Sequence, residues 1–336
     1  MHDRSRHRGA GPALRAVGAL AAVPALAAGA WIAWSRLAID HRQRMPHAVS
    51  GRRHAFGSRA GGLSLYASDE RAGRPLLLIH SVNAAASAYE VRPLYEHYRT
   101  RRPVFALDLP GFGFSERSDR IYSPQLMADA IRAATDWIVE RHGGPIDAVA
   151  LSLSCAYLAR AALEQPDDFA TLGLISPVGF DARLSGEGPP RGNRGSRISR
   201  EIAAFPLWGR PLFDLLVSRP SMRFFLEKTW GSRRIDEGLF VYDQVTAHQP
   251  GAEHAPFSFL SGYLFPEDTT RLYERLRLPV WMVHGTRGDF VDYRRLGAVS
   301  ERPIWRVDEL DTGAFPHFER PETVTRRYDT FLRHAS

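Results

Sequence analysis

The chain has 336 residues, 44% hydrophobic and 24% charged, a balance that excludes disordered and fibrous classes and allows one large domain or two small ones. Its formal net charge of +7 resides in residues 1–53, which hold nine Arg against only Asp3 and Asp40. The remainder balances, so no basic stripe of the kind that follows a phosphate backbone is present, and no nucleic-acid partner is expected.

In chain order, the first element is an uncharged run from Ala16 to Ser35, preceded by Arg4, Arg6, Arg8 and Arg15 and followed by Arg36, Arg42 and Arg44. Twenty such residues just span a bilayer core, and Trp31 and Trp34 suit the interfacial position of indole rings. The expectation is therefore a membrane protein with a single-pass N-terminal anchor over residues 16–35. The alternatives are export with a cleaved signal peptide, since Ala28-Gly29-Ala30 satisfies the small-x-small rule, and a soluble Ala-rich helix. Positive charge on both flanks leaves the orientation open.

Residues 46–62, with Pro46, Gly51, Gly57, Gly61 and Gly62, read as a linker running into a short β-hairpin, so the folded domain begins near His54. Four apolar runs then appear at 76–79, 104–107, 148–151 and 172–175, separated by helical patterns at 87–98, 124–141 and 153–164. Apolar runs without alternation suit strands buried on both faces, and the intervening helices suit right-handed crossovers. The alternation breaks at the Gly-, Pro- and Arg-rich loop 186–197 and resumes at 280–283 and 304–307. This predicts an α/β fold with a doubly wound, mostly parallel sheet. Its sheet core falls at 54–177 and 276–336, a helical cap at 178–275, and the basic N-terminus, anchor or signal segment and linker at 1–53. Residues 201–265 contain twelve aromatics, which either line an apolar pocket or build the cap's own core.

In open α/β sheets ligands bind at the carboxyl ends of the strands. After the runs named above come His80-Ser81-Val82-Asn83, Asp108-Leu109-Pro110-Gly111-Phe112-Gly113-Phe114-Ser115, Ser152-Leu153-Ser154-Cys155-Ala156 and His284-Gly285-Thr286-Arg287-Gly288-Asp289. With these motifs in this order, the chain resembles the α/β-hydrolase superfamily over roughly His54 to Leu332. A nucleophile elbow needs small neighbours, because strand and helix nearly touch there. Both Ser152 and Ser154 fit a relaxed G-x-S-x-G. Ser152 is preferred because Ser154 and Cys155 follow it as small residues, whereas Tyr157 would crowd the crossing if Ser154 were central. The resemblance also puts a proline about fourteen residues beyond the nucleophile, where Pro166 stands.

The resemblance implies an oxyanion hole from the N–H of Leu153 and that of Ser81 or Val82, a loop-shaping role for His80, and a triad acid at Asp289, with Asp292 or Asp181 as alternatives. The family's G-H-x-P-H-x-E-x-P-E segment reads Gly313-Ala314-Phe315-Pro316-His317-Phe318-Glu319-Arg320-Pro321-Glu322 here, so Ala314 stands where the catalytic histidine is usual. A serine hydroxyl without an imidazole is a poor nucleophile. His317 is the nearest substitute base, His248 or His254 from the cap are others, and a fold retained without triad chemistry is the remaining option. Gly111 and Gly113 lack the third glycine of a dinucleotide fingerprint, since Glu116 occupies its place. The single cysteine excludes cysteine-based zinc clusters, and no cofactor or metal is expected. The expected activity is hydrolysis of an ester or related acyl substrate by a serine nucleophile, with an apolar small molecule selected by the cap. The alternative is a catalytically impaired hydrolase-fold protein that binds a small apolar ligand or a partner.

Overall fold

The structure, a computed structural model, describes residues 26–181, 188–289 and 292–335. Eight strands form one sheet: β1 (Arg52–Ser58), β2 (Gly61–Ser68), β3 (Leu76–Ile79), β4 (Val104–Asp108), β5 (Ile146–Leu151), β6 (Phe169–Ile175), β7 (Val280–Gly285) and β8 (Trp305–Leu310). Their spatial order is β1-β2-β4-β3-β5-β6-β7-β8, with the β1–β2 and β2–β4 pairings antiparallel and the others parallel. The predicted hairpin is the β1–β2 pair, turning at Gly61 in a positive-φ conformation, and β2 is the strand that runs against the others. From β3 the chain winds first towards β4 and then, from β5 onward, the other way. The point where winding reverses lies between β3 and β5, which is where such sheets open a crevice for ligand.

In chain order the helices are α1 (26–38), α2 (Arg92–Tyr98), α3 (Pro124–His142), α4 (Ser154–Glu164), α5 (Arg197–Ala203), α6 (Gly209–Leu216) and α7 (Arg219–Trp230). After them come α8 (Glu237–Ala247), α9 (His254–Leu260), α10 (Thr269–Arg275), α11 (Gly297–Ser300), α12 (Pro316–Glu319) and α13 (Pro321–Ala335). The unbroken apolar strands serve two cores, because successive side chains point to opposite faces. Leu77, Ile79, Phe105, Ala148 and Leu172 pack with α3 and α4, while Leu76, Leu78, Val104, Val149 and Trp281 pack with α2 and α13. Helix α3 begins as its sequence dictates: the Ser123 hydroxyl accepts from the Leu126 N–H, and Pro124 stands in the first turn. Helices α5 to α9 lie between β6 and β7, whereas α10 packs on α4 of the sheet layer.

Among the described residues no helix is long and apolar enough to cross a membrane. Residues 16–25 of the expected span lie outside the described residues. The part that is described, α1, rests on the cap. The Trp31 indole donates to the Pro211 carbonyl at 2.8 Å, the buried Ser35 hydroxyl donates to Asp214 at 2.6 Å, and Arg36 reaches the Pro206 and Leu207 carbonyls.

Candidate active site

Ile79 of β3 pairs with Ala150 of β5, so Ser81 and Ser152 each stand two residues beyond partnered positions at the winding reversal. Ser152 has φ +51°, a left-handed conformation uncommon for a residue with a Cβ, between β5 and α4. Its own N–H is held by the Ile175 carbonyl at 2.8 Å, and its side chain is partly exposed. Ser154, by contrast, opens α4 fully buried, with no partner for its hydroxyl. Cys155 sits where helix and strand cross: its thiol donates to the Ala150 carbonyl at 3.2 Å, and burial pushes its pKa well above the ordinary thiol value. Pro166 begins a short 3₁₀ turn ahead of β6.

The loop after β3 is organised by two buried groups. The Leu109 N–H donates to His80 Nε2 at 2.9 Å, which leaves Nδ1 to carry the proton and donate it to the Ser81 carbonyl. Burial lowers the His80 pKa to about 4, so the ring is a neutral bracket tying the β3 and β4 loops together. The second group is Glu90. Its carboxylate accepts from the Ser81 N–H at 2.7 Å, the Ser81 hydroxyl at 3.0 Å and the Asn83 amide at 2.7 Å. Burial raises its pKa from 4.5 to about 7, against the lowering effect of those same donors. The Ser81 N–H, one of the two alternatives for the oxyanion donor of this loop, is therefore already engaged. Among the described residues the N–H groups of Val82 and Leu153 make no hydrogen bond.

The Asp108 turn is a tight loop, as its glycines require. The Asp108 carboxylate accepts from the Ala88 and Phe114 N–H groups, at 3.0 and 2.9 Å. A Cβ on Gly113, itself at φ +51°, would lie 2.0 Å from that carboxylate. Burial raises the Asp108 pKa to about 6.

The three residues expected to form a triad make no hydrogen bonds to one another, and Ser152 Oγ bonds to no imidazole among the described residues. His317, on the one-turn α12, donates from Nε2 to the Glu90 carbonyl at 2.7 Å, which leaves Nδ1 as a buried, unpartnered acceptor. Burial lowers its pKa to about 4. Asp289 is 56% exposed, with its carboxylate 3.3 Å from Lys228 Nζ and its N–H donating to the Lys228 carbonyl. Asp292 pairs with Arg294, which holds its carboxyl below the usual range. His248 donates from Nδ1 to the Gln244 carbonyl at 2.6 Å within its own helix turn and stacks on His41, and His254 lies 3.5 Å from Asp119.

The end of α7 explains this arrangement, because it packs on both loops that would present acid and base. The Ala314 N–H donates to the Thr229 carbonyl at 2.9 Å, and a Cβ on Gly313 would lie 2.5 Å from the Trp230 backbone. Gly231, left-handed after α7, lies close against Gly288. Glu319 closes the Ala314 loop by accepting from the Gly313 N–H at 2.6 Å while pairing with Arg287.

Two groups not anticipated from sequence belong to this region. Besides Glu90 there is Asp243 of α8, a buried carboxyl whose Oδ1 has no partner and whose pKa is raised well above its ordinary value, first by burial and then by the Glu90 charge. Tyr89 and Tyr242, their sequence neighbours, stack at 4.8 Å between core and cap. A signal existed for both. Ser87, Glu90, Val91, Leu94 and Tyr98 share one helical face, as do Leu239, Asp243 and Thr246, so each acid interrupts a buried stripe. A separate cleft of about 520 Å³, bordered by Met45, Phe114, Arg117 and Gln249, does not reach Ser152.

The family model of the alpha/beta hydrolase family matches residues 76–327, and the chain belongs to that family. A probable hydrolytic enzyme from Pseudomonas aeruginosa PAO1 is similar in structure, with TM-score 0.67 and 20% identity, over 88% of this chain and 98% of that one. A thermophilic esterase from Thermogutta terrifontis has TM-score 0.62 and 20% identity, over 84% and 99% of the two chains. A membrane phospholipase A has TM-score 0.63 and 18% identity, over 96% of each. At these identities the likeness establishes the fold. No curated protein matches the chain by sequence.

Proposed function

We propose that the chain is a hydrolase of an ester or related acyl compound with Ser152 as its nucleophile. The observation that carries this reading is the left-handed backbone at Ser152, at the winding reversal of the sheet. Such strain is kept where the surrounding structure over-determines it. In the reaction, Ser152 Oγ bonds to the acyl carbon, the hydroxyl proton passes to a base, and the carbonyl oxygen takes up charge facing the Leu153 and Val82 N–H groups. The leaving group departs with a proton, and water then releases the acyl group from Ser152. His317 is the proposed base, being neutral with a free Nδ1 lone pair, and Asp289 can support an imidazolium only after leaving Lys228. The esterase and phospholipase A among the similar structures favour an acyl substrate, and the aromatic cap favours an apolar one.

A second reading is an impaired hydrolase that binds a small apolar ligand or a partner. The missing Ser–His–Asp hydrogen bonds and Ala314 favour it. Fluorophosphonate labelling separates the two. The catalytic reading expects covalent labelling of Ser152, abolished in Ser152→Ala and sharply reduced in His317→Ala. Absence of labelling in a folded wild-type protein rejects it, and activity gained in Ala314→His would then support the binding module.

A further inference from the structure

Helices α5, α6 and α7 expose several large apolar side chains. On α6 the buried side holds Pro211, Phe213 and Asp214, while Trp208, Leu212 and Leu215, spaced by four and three, point outward. Helix α5 adds Ile198, 72% exposed, and Ile202 one turn on. Helix α7 adds Phe224 and Phe225, the first 55% exposed. These elements adjoin one another: α6 packs against both α5 and α7, and the Trp208 indole donates to the Ile202 carbonyl. Helix α1 adjoins α6 and has an exposed apolar side of its own. Trp31 and Ser35 face α6, whereas Leu26, Trp34 and Leu37, the last 86% exposed, share a different side that faces away from it. A water-facing surface of this kind is rare on a monomer unless something covers it.

The chain itself indicates the occupant. Helix α1, the first described element, lies against α6, and in the sequence the stretch from Ala16 to Ser35 has no charge. The protein's whole net positive charge lies in residues 1–53, on both sides of that stretch. Apolar helices with aromatic rings at their margins and Arg beside them are suited to the headgroup boundary of an anionic bilayer. We propose that the outer face of α1, α5, α6 and α7 is a membrane-docking surface, through which the cap lies on an anionic lipid bilayer. This is a contact of the folded domain, distinct from any insertion of residues 16–35, and it does not depend on Ser152 being catalytic.

The test uses the full chain. Its one cysteine is buried, so Leu212→Cys and Phe225→Cys each accept a thiol-reactive environment-sensitive dye at a single exposed site, and Glu70→Cys, on the loop entering β3 at the opposite end of the sheet, serves as control. On adding phosphatidylcholine vesicles containing phosphatidylglycerol, dye emission at positions 212 and 225 should shift to the blue and be quenched by spin-labelled acyl chains, with no change at position 70. Replacing Leu212, Leu215, Phe224 and Phe225 together by Ser should lower vesicle partitioning at least about tenfold, with far-ultraviolet circular dichroism showing that the variant folds. Protein that binds vesicles while both cap dyes stay in water overturns the proposal, because the N-terminus alone would then account for binding. Dye shifts that follow protein concentration without lipid also overturn it, in favour of a second copy as occupant.

Discussion

Glu90 provides a quantitative test of how the site is built. Its carboxyl is buried and its pKa rises from 4.5 to about 7, so between those values the folded chain holds a proton that the unfolded chain has released. The fold therefore binds more protons than the unfolded state in that window, and stability falls as pH rises through it. At about 1.4 kcal/mol per unit, the upward shift corresponds to about 3 kcal/mol lost between pH 4.5 and 7 through this group alone. Glu90→Gln keeps an oxygen for the Ser81 N–H and removes the titration. Denaturant unfolding of both proteins at a series of pH values from 5 to 8 follows the contribution of Glu90 together with the part of the Asp243 shift that the Glu90 charge causes, while Asp108 is common to both. The wild-type should lose about 2.5 kcal/mol more than the variant over that range, slightly less than the full shift because the loss has already begun at pH 5. Parallel stability curves would refute the burial of an ionisable Glu90 against the Ser81 loop.

Three other predictions bear on the surrounding scaffold. Gly113→Ala should lower stability by about 1–3 kcal/mol or more, through positive φ and the approach to the Asp108 carboxylate, and thermal unfolding measures it. Asp268→Ala should cost about 3–5 kcal/mol in denaturant unfolding, because the buried Arg160 guanidinium, 2.7 Å from Asp268, would lose its counter-charge. Cys155 should resist aromatic disulfide reagents in the native protein and react at the unfolding rate, and rapid native labelling would contradict its place at the helix–strand crossing.

Much of the sheet is legible in the sequence because a strand covered on both faces needs no alternation: Leu76 to Ile79 and Val104 to Leu107 appear directly as runs. The turn from β5 into α4 is legible for a related reason, since the small residues Ser154 and Cys155 stand buried where helix and strand cross. The partners of the charged groups are not legible. Asp289 has the family spacing for a triad acid, but its carboxylate meets Lys228 because the end of α7 packs against its loop. His317 keeps its place in the motif, yet its proton is directed to the Glu90 carbonyl.

Local rules of periodicity, side-chain size and turn chemistry operate over a few residues, which is why the strands and the doubly wound, mostly parallel fold class follow from the sequence by itself, whereas the order of the strands in the sheet does not. Tertiary structure alone decided which titratable groups meet. The contacts of Ser35 with Asp214 and of His317 with Glu90 join residues separated by 179 and 227 positions. Burial, which sets the pKa of Glu90 and leaves an oxygen of Asp243 without a partner, is a property of the assembled layers, so no short stretch of the chain encodes it.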